Sequence, residues 1–207
     1  MRVFEDYAAG NVEQEPAITD RMLQAIVQAL DGNVKKGFIW NAKTFGDRGP
    51  NSQESRVGAD FLGVVSAALP EFAVTKGFLA QAKRLERGEV LRAADLATLK
   101  AQCRAMLELT PDSFVFLYAH SGIVIVPAIA VVAYQHGNLH ELHQRSITTF
   151  LLDHFSCFVG DASLGAADEA AIRRAMAAAG ARAALAIQVA GVPQGVTGEG
   201  TESSKRE

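Results

Sequence analysis

The sequence predicts an α/β protein in which helices flank a central mixed β-sheet and a helical extension follows at the C-terminus. Residues 61–83 contain two apolar, β-rich runs on either side of the turn Leu69-Pro70-Glu71, the pattern of a β-hairpin. A helix-forming stretch over residues 93–109 then precedes the β-rich run of residues 114–134. A helix that connects strands of one sheet is a crossover, and we therefore expect a mixed sheet of four or five strands.

Length and composition indicate a folded chain organised around one core domain. Its 207 residues are 49% hydrophobic and 21% charged, a balance typical of globular rather than disordered proteins. We expect an extended lead-in over residues 1–18, the core domain over 19–165, an alanine-rich helix over 166–190 and a disordered tail over 191–207.

The core domain is expected to begin with a helix and a long loop. The helix starts at Thr19 or Asp20, either of which can cap it, and ends at Gly32. Residues 35–53 are predicted to be a loop because glycine recurs in them. The aromatic side chains of this loop, such as Trp40, either pack into a local core or stack on a nucleic-acid base.

The β-rich run of residues 114–134 is long enough to raise the question of a membrane span. It is interrupted by His120-Ser121-Gly122 and by Pro127, and it is rich in β-branched residues, so two buried strands fit better. Two further helices are expected, over residues 146–158 and, with a break at Gly180, over residues 168–189. The second of them either packs on the core or forms an oligomer interface.

A small group of polar residues lies inside the apolar runs of the predicted hairpin. Asp60 opens the first strand, and Gln81 and Lys83 share one face of the second because side chains alternate with period two. Glu54 can reach the same place from the preceding loop. Burying such groups costs several kcal/mol unless a metal, a partner or a substrate compensates.

A carboxylate, a second oxygen donor and an ammonium at strand ends suit Mg²⁺, which binds through one or two carboxylates, waters and substrate phosphate. Such an ion polarises a phosphoryl oxygen, and Lys83 can orient or deprotonate the attacking water. The pattern therefore favours metal-assisted hydrolysis of a phosphodiester. In the alternative interpretation, Asp60 only ends a strand, and Gln81 and Lys83 form the solvent face of an amphipathic strand.

The order of these residues resembles a known active-site signature. Gly58-Ala59-Asp60, twenty intervening residues and Gln81-Ala82-Lys83-Arg84 are similar to the motif of the PD-(D/E)XK nuclease superfamily, in the Gln-x-Lys variant of Mrr-type restriction endonucleases. The similarity extends over about thirty residues in motif, and over residues 20–160 in the order of elements. Two positions differ from the family pattern: no proline precedes Asp60, and a neutral Gln81 replaces an acidic residue.

The resemblance assigns a role to each residue of the motif. It implies that Asp60 is a metal ligand and that Lys83 positions or activates the attacking water. Gln81 occupies the position of the second acidic ligand, and the Ala82 carbonyl is a possible further ligand. Glu54 corresponds to the acidic residue that many members supply from outside the hairpin.

The implied function is that of a Mg²⁺-dependent endodeoxyribonuclease, with Mn²⁺ able to substitute, of the kind that acts in bacterial restriction or phage defence. DNA is then the substrate, a homodimer is the default assembly for duplex cleavage, and a protein partner supplies targeting or activation. Two alternatives stay open: a catalytically inactive nuclease-like module that binds nucleic acid or a nucleotide, and a structural subunit of a larger defence complex.

The charge distribution supports contact with phosphates around the predicted hairpin. Residues 35–104 contain twelve Lys and Arg against seven Asp and Glu, a net charge of +5, whereas the rest of the chain has a net charge of −8. A solvated surface of mixed charge would also explain most of these residues. The basic residues expected to contact DNA are Lys43, Arg56, Lys76, Arg84 and Arg87.

The remaining signals concern localisation and metals. Residues 1–15 are acidic and have no apolar signal-peptide core, so we expect a cytoplasmic protein without a membrane segment. Its two cysteines are expected to be free and buried. His136, His140 and His143 would share one side of a helix, but a zinc site needs a further ligand that the sequence does not identify, and a polar surface is the alternative.

Overall fold

The computed structural model describes residues 14–35, 37–46 and 58–192 of the chain. Five α-helices are found in this part: α1 (Glu15–Leu30), α2 (Ala93–Leu109), α3 (Ala128–Ala133), α4 (Ile147–Phe155) and α5 (Glu169–Ala179). The strands are β1 (Val34–Lys35), β2 (Phe38–Gly46), β3 (Phe61–Leu69), β4 (Phe72–Arg84), β5 (Ser113–Ala119), β6 (Gly122–Pro127), β7 (Arg145–Ser146) and β8 (Ala183–Gly191).

All eight strands form one mixed sheet, in the order β1-β2-β8-β3-β4-β5-β6-β7. The pairs β3–β8 and β4–β5 are parallel, and the other neighbouring strands are antiparallel. The α/β class and the helices that flank a mixed sheet are therefore confirmed. The sheet has more strands than the four or five expected.

The sheet is covered on both faces, because β4 alternates its side chains between two hydrophobic cores. Phe78 and Ala80 lie in the core that contains residues of α1 and α4, such as Met22 and Phe150. Leu79 lies in the other core, which contains buried residues of α2, α3 and α5. This alternation is the one that the sequence predicts.

Several predicted elements are confirmed. The hairpin turns between Leu69 and Phe72, and α2 spans residues 93–109. In the run of residues 114–134 the two expected strands, β5 and β6, are present, but the end of the run forms helix α3 and not strand. Helix α1 starts earlier than expected, at Glu15, so the last residues of the predicted lead-in over residues 1–18 belong to the helix. Within the described residues, no helix combines the length and the apolar composition that a membrane span needs.

The helical C-terminal extension over residues 166–190 is wrong in its second half. Helix α5 ends where Gly180 adopts a left-handed conformation, with φ of 61°, and residues 183–191 then form a strand between β2 and β3. A strand that is buried on both faces is a continuous apolar run, which periodicity cannot distinguish from a buried helix. The core domain therefore continues through this strand and does not end at residue 165.

Three smaller expectations are also corrected. The loop expected over residues 35–53 contains β2, and its Phe45 lies in a main core of the domain. Both cysteines are free, but Cys157 is exposed and only Cys103 is buried. The predicted lead-in before residue 14 and the predicted tail after residue 192 lie outside the described residues.

Candidate active site

The candidate site lies at one edge of the sheet, where β3 and β8 begin and β4 ends. Asp60 directly precedes β3, and its backbone is fixed on both sides. Its N–H donates to the carbonyl of Ala80 over 2.8 Å, and its carbonyl accepts from the N–H of Ala183 over 3.1 Å. Since β3 and β4 are antiparallel, this edge also receives Gln81 and Lys83 from the end of β4.

The two residues before Asp60 hold it against the end of α5. A Cβ atom on Gly58 would lie 2.8 Å from the carbonyl oxygen of Gly180, so only glycine allows this approach. Ala59 donates its N–H to the carbonyl of Ala179 over 3.1 Å. Close packing against the end of α5 therefore explains the glycine at position 58 without a catalytic role.

The carboxylate of Asp60 binds the end of β4. Its Oδ2 accepts hydrogen bonds from Gln81 Nε2 at 2.6 Å and from the Ala82 N–H at 2.7 Å. Within the part of the chain that the structure describes, no donor reaches Oδ1. One oxygen of the carboxylate is therefore fixed, and the other can accept a ligand.

Burial raises the pKa of the Asp60 carboxyl above its usual range, because the charged form loses solvation. The Ala82 N–H and the positive charges of Arg182 and Lys83 oppose this shift, while Glu15 adds to it. Burial outweighs them, so a cation beside Asp60 would lower the free energy of its charged form.

Gln81 has an amide oxygen without a partner. Its side chain is 7% exposed, and its Nε2 donates to Asp60. Its Oε1 is buried and has no hydrogen-bond donor among the described residues. An unsatisfied buried oxygen costs about 1–3 kcal/mol. Either a water or a cation at this position would remove that cost.

Lys83 contacts a carboxylate, Glu15, that was not predicted to belong to the site. Its Nζ lies 3.1 Å from Oε1 of Glu15, and the same oxygen accepts the N–H of Arg84 over 2.9 Å. Glu15 is the first residue of α1, where a negative charge is favoured by the helix dipole. The signal that could have found it is Glu15-Pro16, an acidic residue and a proline that together are typical of a helix start.

The predicted acidic partner, Glu54, lies outside the described residues. The structure places Asp60, Gln81 and Lys83 at the same end of the sheet, and the carboxylate that contacts Lys83 there is Glu15 of α1.

Arg182 is a second basic residue at this edge, in the connection from α5 to β8. Its Nη1 lies 2.9 Å from Oδ1 of Asp20, and its Nη2 donates to the carbonyl of Pro16 over 3.3 Å. The hydroxyls of Thr19 and Tyr118 are 2.9 Å apart. These contacts hold the first turns of α1 over the strand ends. Arg182 was not predicted at this site because its segment was expected to continue the helix.

The expected DNA contacts have different outcomes. The prediction that Lys76 contacts DNA is wrong, because this residue is 3% exposed and its Nζ donates to the carbonyl of Val159 over 2.6 Å. Lys43 is exposed on β2, where it pairs with Glu169 over 3.2 Å. Arg84, which follows Lys83 in the chain, and Arg87 are exposed. Arg56 lies outside the described residues.

The three histidines do not share a helix face. Only a single turn of 3-10 helix, Leu139–Glu141, occurs in their segment. His140 Nε2 lies 2.8 Å from the carbonyl oxygen of Leu85. Among the described residues, no group of three or more His, Cys, Asp or Glu side chains could hold a metal ion.

The residues at the edge fit Mg²⁺ in the form that uses few protein ligands. Gln81 Oε1 is buried with no donor among the described residues, and the described hydrogen bonds of the Asp60 carboxylate use only Oδ2. Mg²⁺ completes its shell with waters and substrate phosphate. The role of the Ala82 carbonyl as a metal ligand stays a prediction, whereas the Ala82 N–H donates to Asp60 Oδ2.

A cavity of about 610 Å³ opens beside Lys83 and Glu15. The connection from β4 to α2 forms its other wall. A substrate bound there lies next to the candidate site.

No protein-family model matches the chain, and the comparisons find no curated protein and no solved structure similar to it. The resemblance to PD-(D/E)XK nucleases therefore depends on the motif alone.

Proposed function

We propose that the protein is a Mg²⁺-dependent endodeoxyribonuclease that hydrolyses DNA phosphodiester bonds at the edge formed by Asp60, Gln81 and Lys83. The observation that carries this proposal is the buried amide oxygen of Gln81, which has no donor among the described residues. The same side chain donates through Nε2 to Oδ2 of Asp60, and the described hydrogen bonds of the Asp60 carboxylate use only that oxygen.

Each residue has a role that follows from its position. Asp60 and Gln81 would hold the ion, which when bound supplies Lewis-acid polarisation of the phosphoryl oxygens. Lys83 orients the attacking water and offsets the negative charge that develops on the phosphate. Glu15 keeps the Lys83 ammonium in place through its 3.1 Å contact. Arg84, which directly follows Lys83, is exposed and adds a positive charge beside the site.

The test is cleavage of supercoiled plasmid with Mg²⁺, Mn²⁺ or EDTA, for wild type and Lys83→Ala. We expect cutting that needs the metal and falls at least about a hundredfold in the variant. Arg104→Ala, which removes an equal charge from the exposed side of α2, is the matched control and retains activity. Equal activity with EDTA, or an unchanged Lys83→Ala, would contradict the proposal.

A second candidate is a binding module with the same fold that does not cut. It is favoured by one observation: a neutral amide, Gln81, donates to Asp60 where a second carboxylate would strengthen metal binding. DNA binding that survives Lys83→Ala, with no cleavage under any metal, would establish this candidate. A role in bacterial restriction or phage defence and a homodimeric assembly stay predictions.

A further inference from the structure

The cavity beside Lys83 has a wall that is fixed before any ligand binds. Residues 85–92, which connect β4 to α2, form this wall. The Leu91 N–H donates to the carbonyl of Gly137 over 3.0 Å, and His140 Nε2 lies 2.8 Å from the carbonyl oxygen of Leu85. Both ends of the connection are thus attached to the segment after α3. A preformed cavity of this volume is in the range of small-ligand sites, roughly 300–1,000 Å³.

Two charged side chains of the wall keep unused hydrogen-bonding atoms. Arg92 pairs through Nε with Asp95 Oδ2 at 2.7 Å, and its two terminal nitrogens have no acceptor within the described residues. Glu89 accepts the N–H of Glu86 through Oε2 at 2.8 Å, and no described donor reaches its Oε1. The wall therefore offers a cationic donor pair and, separately, one anionic acceptor.

An apolar surface lies between these two groups in the chain. Val90 is 66% exposed, and Leu91 is half-buried. Both residues line the cavity. An exposed aliphatic surface next to an acceptor and a cationic donor has the three features that recognise a nucleotide: a face for the base, an acceptor for its amino group and a partner for its phosphate.

We propose that this cavity binds one unpaired nucleotide of a DNA strand, with its base on Val90 and Leu91, its amino group on Glu89 and its phosphate on Arg92. Lys83 and Glu15 line the same cavity, so the next phosphodiester of the strand lies beside Lys83. This last step rests on the proposed nuclease function, whereas binding of the nucleotide does not.

The inference predicts which substrate is preferred. A base can enter the cavity only if it is unpaired, so single-stranded DNA binds more tightly than intact duplex. A carboxylate accepts from the exocyclic amino group of cytosine, whereas thymine has carbonyl oxygens on either side of its one ring N–H. Wild type therefore binds oligodeoxycytidylate more tightly than oligodeoxythymidylate.

The test measures binding of these two oligonucleotides and a duplex by fluorescence anisotropy, with EDTA present so that no cleavage occurs. Arg92→Ala should weaken single-strand binding roughly tenfold and reduce the salt slope by about one, while Arg104→Ala has little effect. Glu89→Gln should lower affinity for oligodeoxycytidylate and remove the preference over oligodeoxythymidylate. Loss of a negative charge alone would instead raise affinity for both strands.

The outcomes separate this inference from the proposed nuclease. Tighter binding of duplex than of single strand, or Glu89→Gln and Arg92→Ala variants that bind as wild type does, would overturn the nucleotide site even if cleavage is observed. The expected binding changes in a protein that cuts nothing with any metal would uphold the nucleotide site and refute the nuclease.

Discussion

The candidate site depends on a buried carboxylate that is next to a buried amide. Gln81 donates to Asp60, and its own oxygen has no described donor. Alternation in a strand is sufficient to place Gln81 and Lys83 on one face, so this part of the site could be predicted from the sequence. Glu15 could not, because it is sixty-eight residues from Lys83 in sequence and only the packing of α1 brings them together.

Gln81→Glu tests whether the two oxygens form a cation site. A second carboxylate beside Asp60 should destabilise the metal-free protein by like-charge repulsion and raise Mg²⁺ affinity about tenfold or more. Thermal unfolding with and without Mg²⁺ measures both effects. Gln28→Glu, on the exposed side of α1, is the control. If Mg²⁺ stabilises both variants equally, Gln81 is not at a metal site.

A second prediction concerns His154, which is 1% exposed. Burial, together with the positive charge of Lys76, lowers the pKa of His154 from its ordinary 6.5 to about 4, although the carbonyl of Val159 opposes the shift. As the pH falls, His154 is protonated in the unfolded chain before it is protonated in the folded protein. The contribution of the neutral His154 to the free energy of unfolding is therefore fully present above pH 6.5 and is lost as the pH falls toward 4. The loss is about 3 kcal/mol.

Denaturant unfolding between pH 7 and pH 4 measures this effect. His154→Gln should flatten the pH dependence, whereas His136→Gln, at an exposed position, should not. An unchanged slope in His154→Gln would show that other groups cause the acid sensitivity.

Among the elements, β8 determines the strand order of the sheet, because it lies between β2 and β3. Its alanine-rich sequence has high helix propensity, and the strand forms because β2 and β3 offer it hydrogen bonds on both edges. A single sequence does not show which distant strands pair, and β2 and β8 were therefore not predicted. The hairpin was predicted because its turn is local in sequence. Arg182 was missed for the same reason.

The close approach of β3 to β4 gives a prediction at this scale. A Cβ atom on Gly63 would lie 2.3 Å from the ring of Phe78, which is packed among other aromatic rings. Gly63→Ala should therefore lower the free energy of unfolding by about 1–3 kcal/mol. Gly46→Ala, where the added Cβ would meet no atom of the described residues within 4 Å, is the control in denaturant unfolding. Equal stability of the two variants would mean that the Phe78 ring moves away from the added methyl group without a cost in free energy.

For the whole molecule, helices cover both faces of the sheet, and the candidate site therefore lies at the ends of its central strands. The starts of β3 and β8, the end of β4 and the first turn of α1 meet there, and the contacts of Lys83 and Arg182 with α1 close the edge on two sides. The sequence predicted the fold class and the central hairpin. The convergence of α1 and β8 on the site follows only from the topology.

The most direct test of the proposed active site is Asp60→Asn, a change of nearly equal volume, measured as the rate of plasmid cleavage with Mg²⁺ at matched DNA binding. We expect that cleavage is lost while the variant stays folded and still binds DNA, because an amide replaces the charge that would hold the ion. Cleavage by Asp60→Asn at the wild-type rate would show that Asp60 takes no part and that the chemistry lies elsewhere in the protein.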